Sequence, residues 1–228
     1  MVTLMTDIKP SLPSGEDRRG LVTEDNDSEL LPHVDEQGNI LGAITRAEAH
    51  RPPQSPLKGD ESAEQVTPCH PSSPFKGDGR GSSSSPFKGD RGGLLHPVVH
   101  LHVFNPQGDL YLQHRAKWKT VQPDRWDTAT GGHIGFGESV ADALAREVEE
   151  EIGLAAGTYT PELLRTYVYE SDIERELVYV FRTTFDGPLQ PSPTETQGGR
   201  FWPLAEIRSR LGHDVFTPMF EQEFLQLF

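Results

Sequence analysis

Glu147, Glu150 and Glu151 fall within five consecutive positions of a segment, Ser139 to Glu151, that is rich in Ala, Leu and Glu. Ser139 is a plausible N-cap, with Asp142 three residues on, so the segment reads as a helix. At about 100° of turn per residue, Val140, Leu144 and Val148 make one apolar stripe. Glu147 and Glu151 lie within or beside that stripe, and Glu150 lies about 60° beyond Glu147. A solvated acidic face would lie opposite the stripe. Here two carboxylates are aimed at the packed side, where unpaired charge is costly. A hard divalent cation among them removes that cost, and oxygen ligands at these spacings suit Mg²⁺.

The residues before the helix fit the same chemistry. Gly131, Gly132, Gly135 and Gly137 allow a tight loop whose backbone can approach a metal or a phosphate. Glu138 and Arg146 read most simply as an ion pair that steadies this loop against the helix. Downstream, Glu195 is a loop carboxylate ahead of Gly199-Arg200-Phe201-Trp202, where the aromatic pair reads as core on a strand.

These residues need elements to hold them. Leu30 to Ile44 carries two short apolar runs around Asp35-Glu36-Gln37-Gly38-Asn39, the pattern of a β-hairpin. Val98 to Phe104 reads as a strand, residues 105–109 as a turn, and Leu110 to Gln113 as the returning strand. Glu176 to Phe185 reads as a further strand. Thr217-Pro218 reads as the cap and first position of a helix to Leu227. Strands before and after one central helix predict a mixed α/β domain.

Two segments read differently. Residues 1–27 are polar and predict a poorly ordered N-terminus. Residues 51–93 are dominated by Pro, Ser, Gly and Lys. There Ser-Pro-(Leu or Phe)-Lys-Gly-Asp recurs at Ser55, Ser73 and Ser85. The unequal spacing argues against stacked repeats, and the scarcity of aliphatic residues predicts an inserted flexible linker.

Across 228 residues, 35 Asp and Glu outnumber 21 Lys and Arg, for a net charge of −14 spread along the chain. Broad nucleic-acid binding needs clustered cations and is not expected. One cysteine, Cys69, excludes an internal disulfide and fits a reducing compartment. No run is apolar enough for a signal peptide or a membrane span, so the expected location is the cytoplasm.

Gly132, Glu138, Arg146, Glu147, Val148, Glu150, Glu151, Gly153 and Leu154 match the complete Nudix box at all nine defining positions over 23 residues. From about residue 94 to 228 the chain resembles the Nudix family. That resemblance implies an α/β/α sandwich, Mg²⁺ or Mn²⁺ bound through Glu147, Glu150 and Glu151, and hydrolysis of a diphosphate linkage in a small molecule. The catalytic set it suggests is Glu151 or Glu195 as general base, with Arg146 and Glu138 as the supporting pair. The family's location of the base varies between the helix and a later loop.

A looser resemblance runs to the isopentenyl-diphosphate isomerase branch, through Arg46 to His50, Leu95-His96, Gln113-His114-Arg115, Lys119, Trp126-Asp127-Thr128 and Gly131-Gly132-His133. It implies that Arg115 and Lys119 hold a diphosphate. It also implies a second metal set of His50, His96, His133, Glu174 and Glu176. The isomerases transfer a proton with a Cys just before the Gly-His pair, where this chain has Gly131. They also replace much of the Glu-rich helix motif that is intact here. Hydrolysis is therefore the expectation, with isomerisation or a catalytically idle nucleotide-sensing module as alternatives. The expected partners are a small-molecule diphosphate and, in a homodimer, a second copy, with neither nucleic acid nor membrane.

Overall fold

The computed structural model describes residues 26–50 and 93–228. The expectations for the N-terminal segment and for the repeat linker fall almost wholly outside these residues. In the described part, β1 (Leu30–Val34) and β2 (Ile40–Thr45) form the expected hairpin, closed by an Asp35 carboxylate that accepts from the backbone of Gln37 and Asn39. A one-turn helix, α1 (Arg46–Ala49), follows. Thr45 and Glu48 cap it reciprocally, a Thr-x-x-Glu signature that sequence reasoning passed over.

The main sheet is built on β3 (His96–Phe104), buried along nearly its whole length. Its neighbours are β4 (Leu110–Arg115) and β6 (Thr130–His133), both antiparallel to it, and β8 (Arg175–Thr184), which runs parallel. The strands β5 (Trp126–Asp127) and β9 (Thr196–Trp202) pair with β4, and β7 (Glu162–Glu170) pairs with β8. The N-terminal hairpin is a separate two-stranded sheet.

Side chains alternate across β3, and each face meets its own helix. The odd face, Val99, Leu101 and Val103, packs with Ala143, Leu144, Val148 and Ile152 of α2 (Val140–Ile152). The even face carries Val98 beside Tyr169, Val178 and Val180, with Met219 and Leu227 of α4 (Pro218–Leu227) over them. A third cluster joins Leu110, Leu112 and Trp202 to Phe216, to Phe220 and Phe224 of α4, and to Ile207 of α3 (Leu204–Arg210). The result is the expected α/β/α sandwich. Trp202 is core, as the aromatic pair suggested.

The ends of α2 follow their sequence signals. The Ser139 hydroxyl accepts from Asp142 N, and Gly153 ends the helix at φ 71°, a left-handed conformation that costs glycine little. Thr217 caps α4 by accepting from Phe220 N, with Pro218 at its first position. No helix among the described residues is long and apolar enough to cross a membrane.

Candidate metal and phosphate site

The helix α2 turns its carboxylates as the periodicity predicts. Glu147 and Glu151 lie on the packed side, whereas Glu150 is 60% exposed. Glu147 rests against the bare backbone of Gly132, where an added Cβ would come within 2.1 Å of its carboxylate. Glu151 accepts from Gln113 Nε2 at 3.1 Å and from Gly131 N at 3.2 Å. Burial, reinforced by the charge of Glu147, pushes its carboxyl up to about 7 against the hydrogen bonds from Thr130 and Gly131. Burial also raises Glu147, opposed by Arg146.

Arg146 is the hub of this region. It meets Glu138 through two parallel hydrogen bonds of 2.9 Å, Glu147 at 2.7 Å and Glu150 at 3.5 Å. A guanidinium fork suits such bidentate work. Its remaining donor reaches the backbone oxygen of His133 at 3.0 Å. The expected Glu138–Arg146 ion pair is thus present.

On the far side of His133 is a second cluster. His50, at the end of α1, joins His96 of β3, His133 of β6 and Glu176 of β8, with one ligand atom from each lying within 4.8 Å of the others. The three imidazole rings are spaced 5.1 to 5.2 Å apart. His50 Nδ1 donates to Arg46 O at 3.0 Å and His96 Nδ1 to Leu94 O at 2.9 Å, which leaves both Nε2 lone pairs free to point inward. His96 Nε2 is buried with no hydrogen-bond partner among the described residues, and Glu176 Oε1 lies 3.8 Å away. Burial lowers His96 to about 4, helped by the charges of His50 and Arg46, and lowers His133 further. Imidazoles held neutral at His96 and His133, with the orphaned His96 Nε2 beside a carboxylate, fit a divalent transition metal. Glu174 stays outside this 4.8 Å group; partial burial raises its carboxyl, and the charge of His50 opposes that rise.

Arg115 and Lys119 are committed elsewhere in this conformation. Arg115 donates to Asp127 at 3.1 Å and to the carbonyls of Val121 and Gln122, so it organises the loop after β4. Lys119 is paired with Glu195. The two expected clamp cations and one of the two candidate bases are therefore tied up by internal partners.

Sequence reasoning missed a third group. Glu223 of α4, almost wholly buried, accepts from His100 Nδ1 at 3.0 Å, from His102 Nε2 at 2.5 Å and from the Tyr167 hydroxyl at 2.9 Å. Its signal was the even spacing of His96, His100 and His102, which puts all three on one face of β3. Nothing in the sequence linked that face to a carboxylate more than a hundred residues away.

Comparison with known proteins agrees with this geometry. Residues 94–220 match the NUDIX domain. An uncharacterised Nudix hydrolase of Streptomyces coelicolor is 36% identical over 129 residues, covering 55% of this chain and 70% of that protein. An isopentenyl-diphosphate Δ-isomerase of Nocardia farcinica is 29% identical over 190 residues, covering 81% of this chain and 86% of that enzyme. In fold, the chain is similar to the DR0079 protein of Deinococcus radiodurans, with a TM-score of 0.61 at 17% identity, covering 88% of this chain and 99% of that one.

Proposed function

Because this chain belongs to the Nudix family, we propose that it is a divalent-metal-dependent hydrolase that cleaves a diphosphate linkage in a small molecule. The observation that carries this reading is the placement of Glu147 and Glu151. Both are turned inward from α2 onto the glycine backbone of β6, and Arg146 and Gln113 fix their orientation. A cation bound by Glu147, Glu150 and Glu151 would neutralise phosphoryl charge and make water a better nucleophile. The protein's own work is then positional. Arg146 holds Glu147 and the Gly132-His133 backbone in one frame, and Glu138 holds Arg146. Glu151, restrained from two sides, takes the proton of the attacking water. Glu195 can serve instead, with Arg115 and Lys119 gripping the distal phosphate, once the Lys119–Glu195 pair has parted.

A second reading is favoured by one observation, the His50, His96, His133 and Glu176 cluster, since the chain is similar to an isopentenyl-diphosphate Δ-isomerase over most of its length. One experiment separates the two. The purified protein with Mg²⁺ or Mn²⁺ is offered dinucleotides, nucleotide sugars, nucleoside triphosphates and isopentenyl diphosphate in deuterated water, and products are followed by NMR. Phosphate or nucleoside monophosphate release supports hydrolysis. Deuterium entering dimethylallyl diphosphate at a catalytic rate establishes the isomerase instead.

A further inference from the structure

Gly131 and His133 are two positions apart on β6 and present the same face, and Gly131 is the Cα partner of His100 across the ladder. The imidazole of His100 lies over the glycine. A Cβ placed on Gly131 would come within 2.9 Å of its Cδ2 and 3.1 Å of its Nε2. The missing side chain therefore makes room for this ring, with Glu151 bonded to the Gly131 amide and His133 one step further along. The ring is anchored at one end only. Nδ1 is fixed by Glu223, whereas Nε2 has no hydrogen-bond partner among the described residues, and the side chain keeps 10% of its surface open.

We propose that His100 is an anion-binding residue, presenting its Nε2–H to a phosphoryl oxygen of the substrate above Gly131. This rests on the diphosphate reading above and adds to it a recognition residue outside the family's box. The electrostatic case is one of supply. The carboxylates that bear on the ring are Glu223, Asp127 and Glu176, while Arg115, Lys119 and Arg146 already meet Asp127, Glu195 and Glu138. In this conformation His100 Nε2 is a donor that no carboxylate among the described residues has taken. Desolvation by itself would discharge His100, but the facing charge of Glu223 and its hydrogen bond overcome that and hold the ring protonated, at about 9. Asp127 and Glu176 act in the same direction from β5 and β8. Glu223 is in turn braced by His102 and Tyr167, so the anchor does not swing.

The test uses isothermal titration of the full chain, saturated with Mg²⁺, with methylenediphosphonate as a diphosphate that cannot be hydrolysed. His100→Asn keeps an N–H where Nδ1 meets Glu223 and removes Nε2. His100→Gln gives up the Glu223 contact and places a neutral N–H where Nε2 was. If His100 binds the anion, Asn weakens methylenediphosphonate roughly 10- to 100-fold, the worth of one charge-assisted hydrogen bond, and Gln weakens it less. If His100 only fastens β3 to α4, the order reverses: Asn is benign, and Gln lowers both Tm and affinity. Equal affinity in wild type and His100→Asn, or no binding to wild type, overturns the inference. The hydrolysis screen reads separately, since release of phosphate by His100→Asn at high substrate would leave the enzymatic reading standing alone.

Discussion

Arg146 donates to the backbone oxygen of His133 at 3.0 Å, and His133 is the residue that turns its ring into the histidine cluster. The same guanidinium binds Glu147 at 2.7 Å. The glutamate cluster on α2 and the histidine cluster on β6 are therefore joined through one side chain and one peptide group.

Replacing Arg146 with Ala should weaken both sites together. Turnover should fall roughly 10- to 100-fold, as expected when residues that orient metal ligands are lost. Mn²⁺ titration followed by electron paramagnetic resonance should show weaker binding at both sites. Loss confined to the glutamate site would show that the His133 contact transmits nothing.

Glu151→Gln and Glu150→Gln should each lower turnover by orders of magnitude while circular dichroism and Tm stay close to wild type. Glu150 is exposed and so costs the fold little, and Gln at 151 still accepts from the Gly131 amide. Unchanged metal-dependent turnover in both variants would remove the glutamates from the site.

The histidine cluster should bind a metal of its own. Co²⁺ titration should give a visible absorption band in the wild type, and chelation should lower Tm, because an ion held by residues from α1, β3, β6 and β8 ties the hairpin to the main sheet. His96→Ala should abolish the band without disturbing the glutamates of α2. A full band in that variant would place the metal elsewhere.

Stability should depend on pH through His100. Its folded value is raised to about 9 from an ordinary 6.5, so its contribution is complete below about 6.5 and is lost as pH rises through 9. By linkage this amounts to about 3 kcal/mol at most. Glu223 has the opposite sense, held below the carboxylate range by His100 and His102 despite its burial, and its contribution is lost only in acid. Burial-raised Glu151 and Glu176 also lose stability as pH climbs above the ordinary carboxylate range, so the useful quantity is the difference between wild type and His100→Asn. In urea unfolding that difference should shrink between pH 6.5 and 9.5. A constant difference would mean that the ring carries no charge in the folded protein.

Deleting residues 52–91 should leave Tm and activity nearly unchanged, because closure entropy varies slowly with loop length. Strong amide protection within that stretch, or a large drop in Tm on its removal, would show that it packs.

The site on α2 was legible because helical period, caps and glycine spacing are local signals: Val140, Leu144 and Val148 point inward where 3.6-residue geometry puts them. The hairpin, β3, β8 and α4 were legible for the same reason. β7 was not, since it is a mostly exposed edge strand whose alternation is broken by an irregularity between Leu163 and Arg165. β5 and β6 are too short to show a period. The histidine cluster was reachable only through resemblance, because four ligands from four elements share no spacing rule. The pairings of Lys119 with Glu195 and of His100 with Glu223 are tertiary facts with no local trace.

The approach of Ala49 to Gly93 carries a consequence for how the chain can be cut. A Cβ on Gly93 would stand 1.5 Å from the Ala49 carbonyl oxygen, so the two flanks of the inserted stretch are in contact. His50 and His96, just outside those flanks, face each other in the cluster. Two halves of one candidate binding site thus belong to pieces of chain on either side of the insert. A protease that nicks the insert would leave the fragment with His50 seated on its partner by the β1 contacts and by any shared ion. Separately produced fragments should reassemble on mixing, with metal as the ingredient that governs how tightly they reunite.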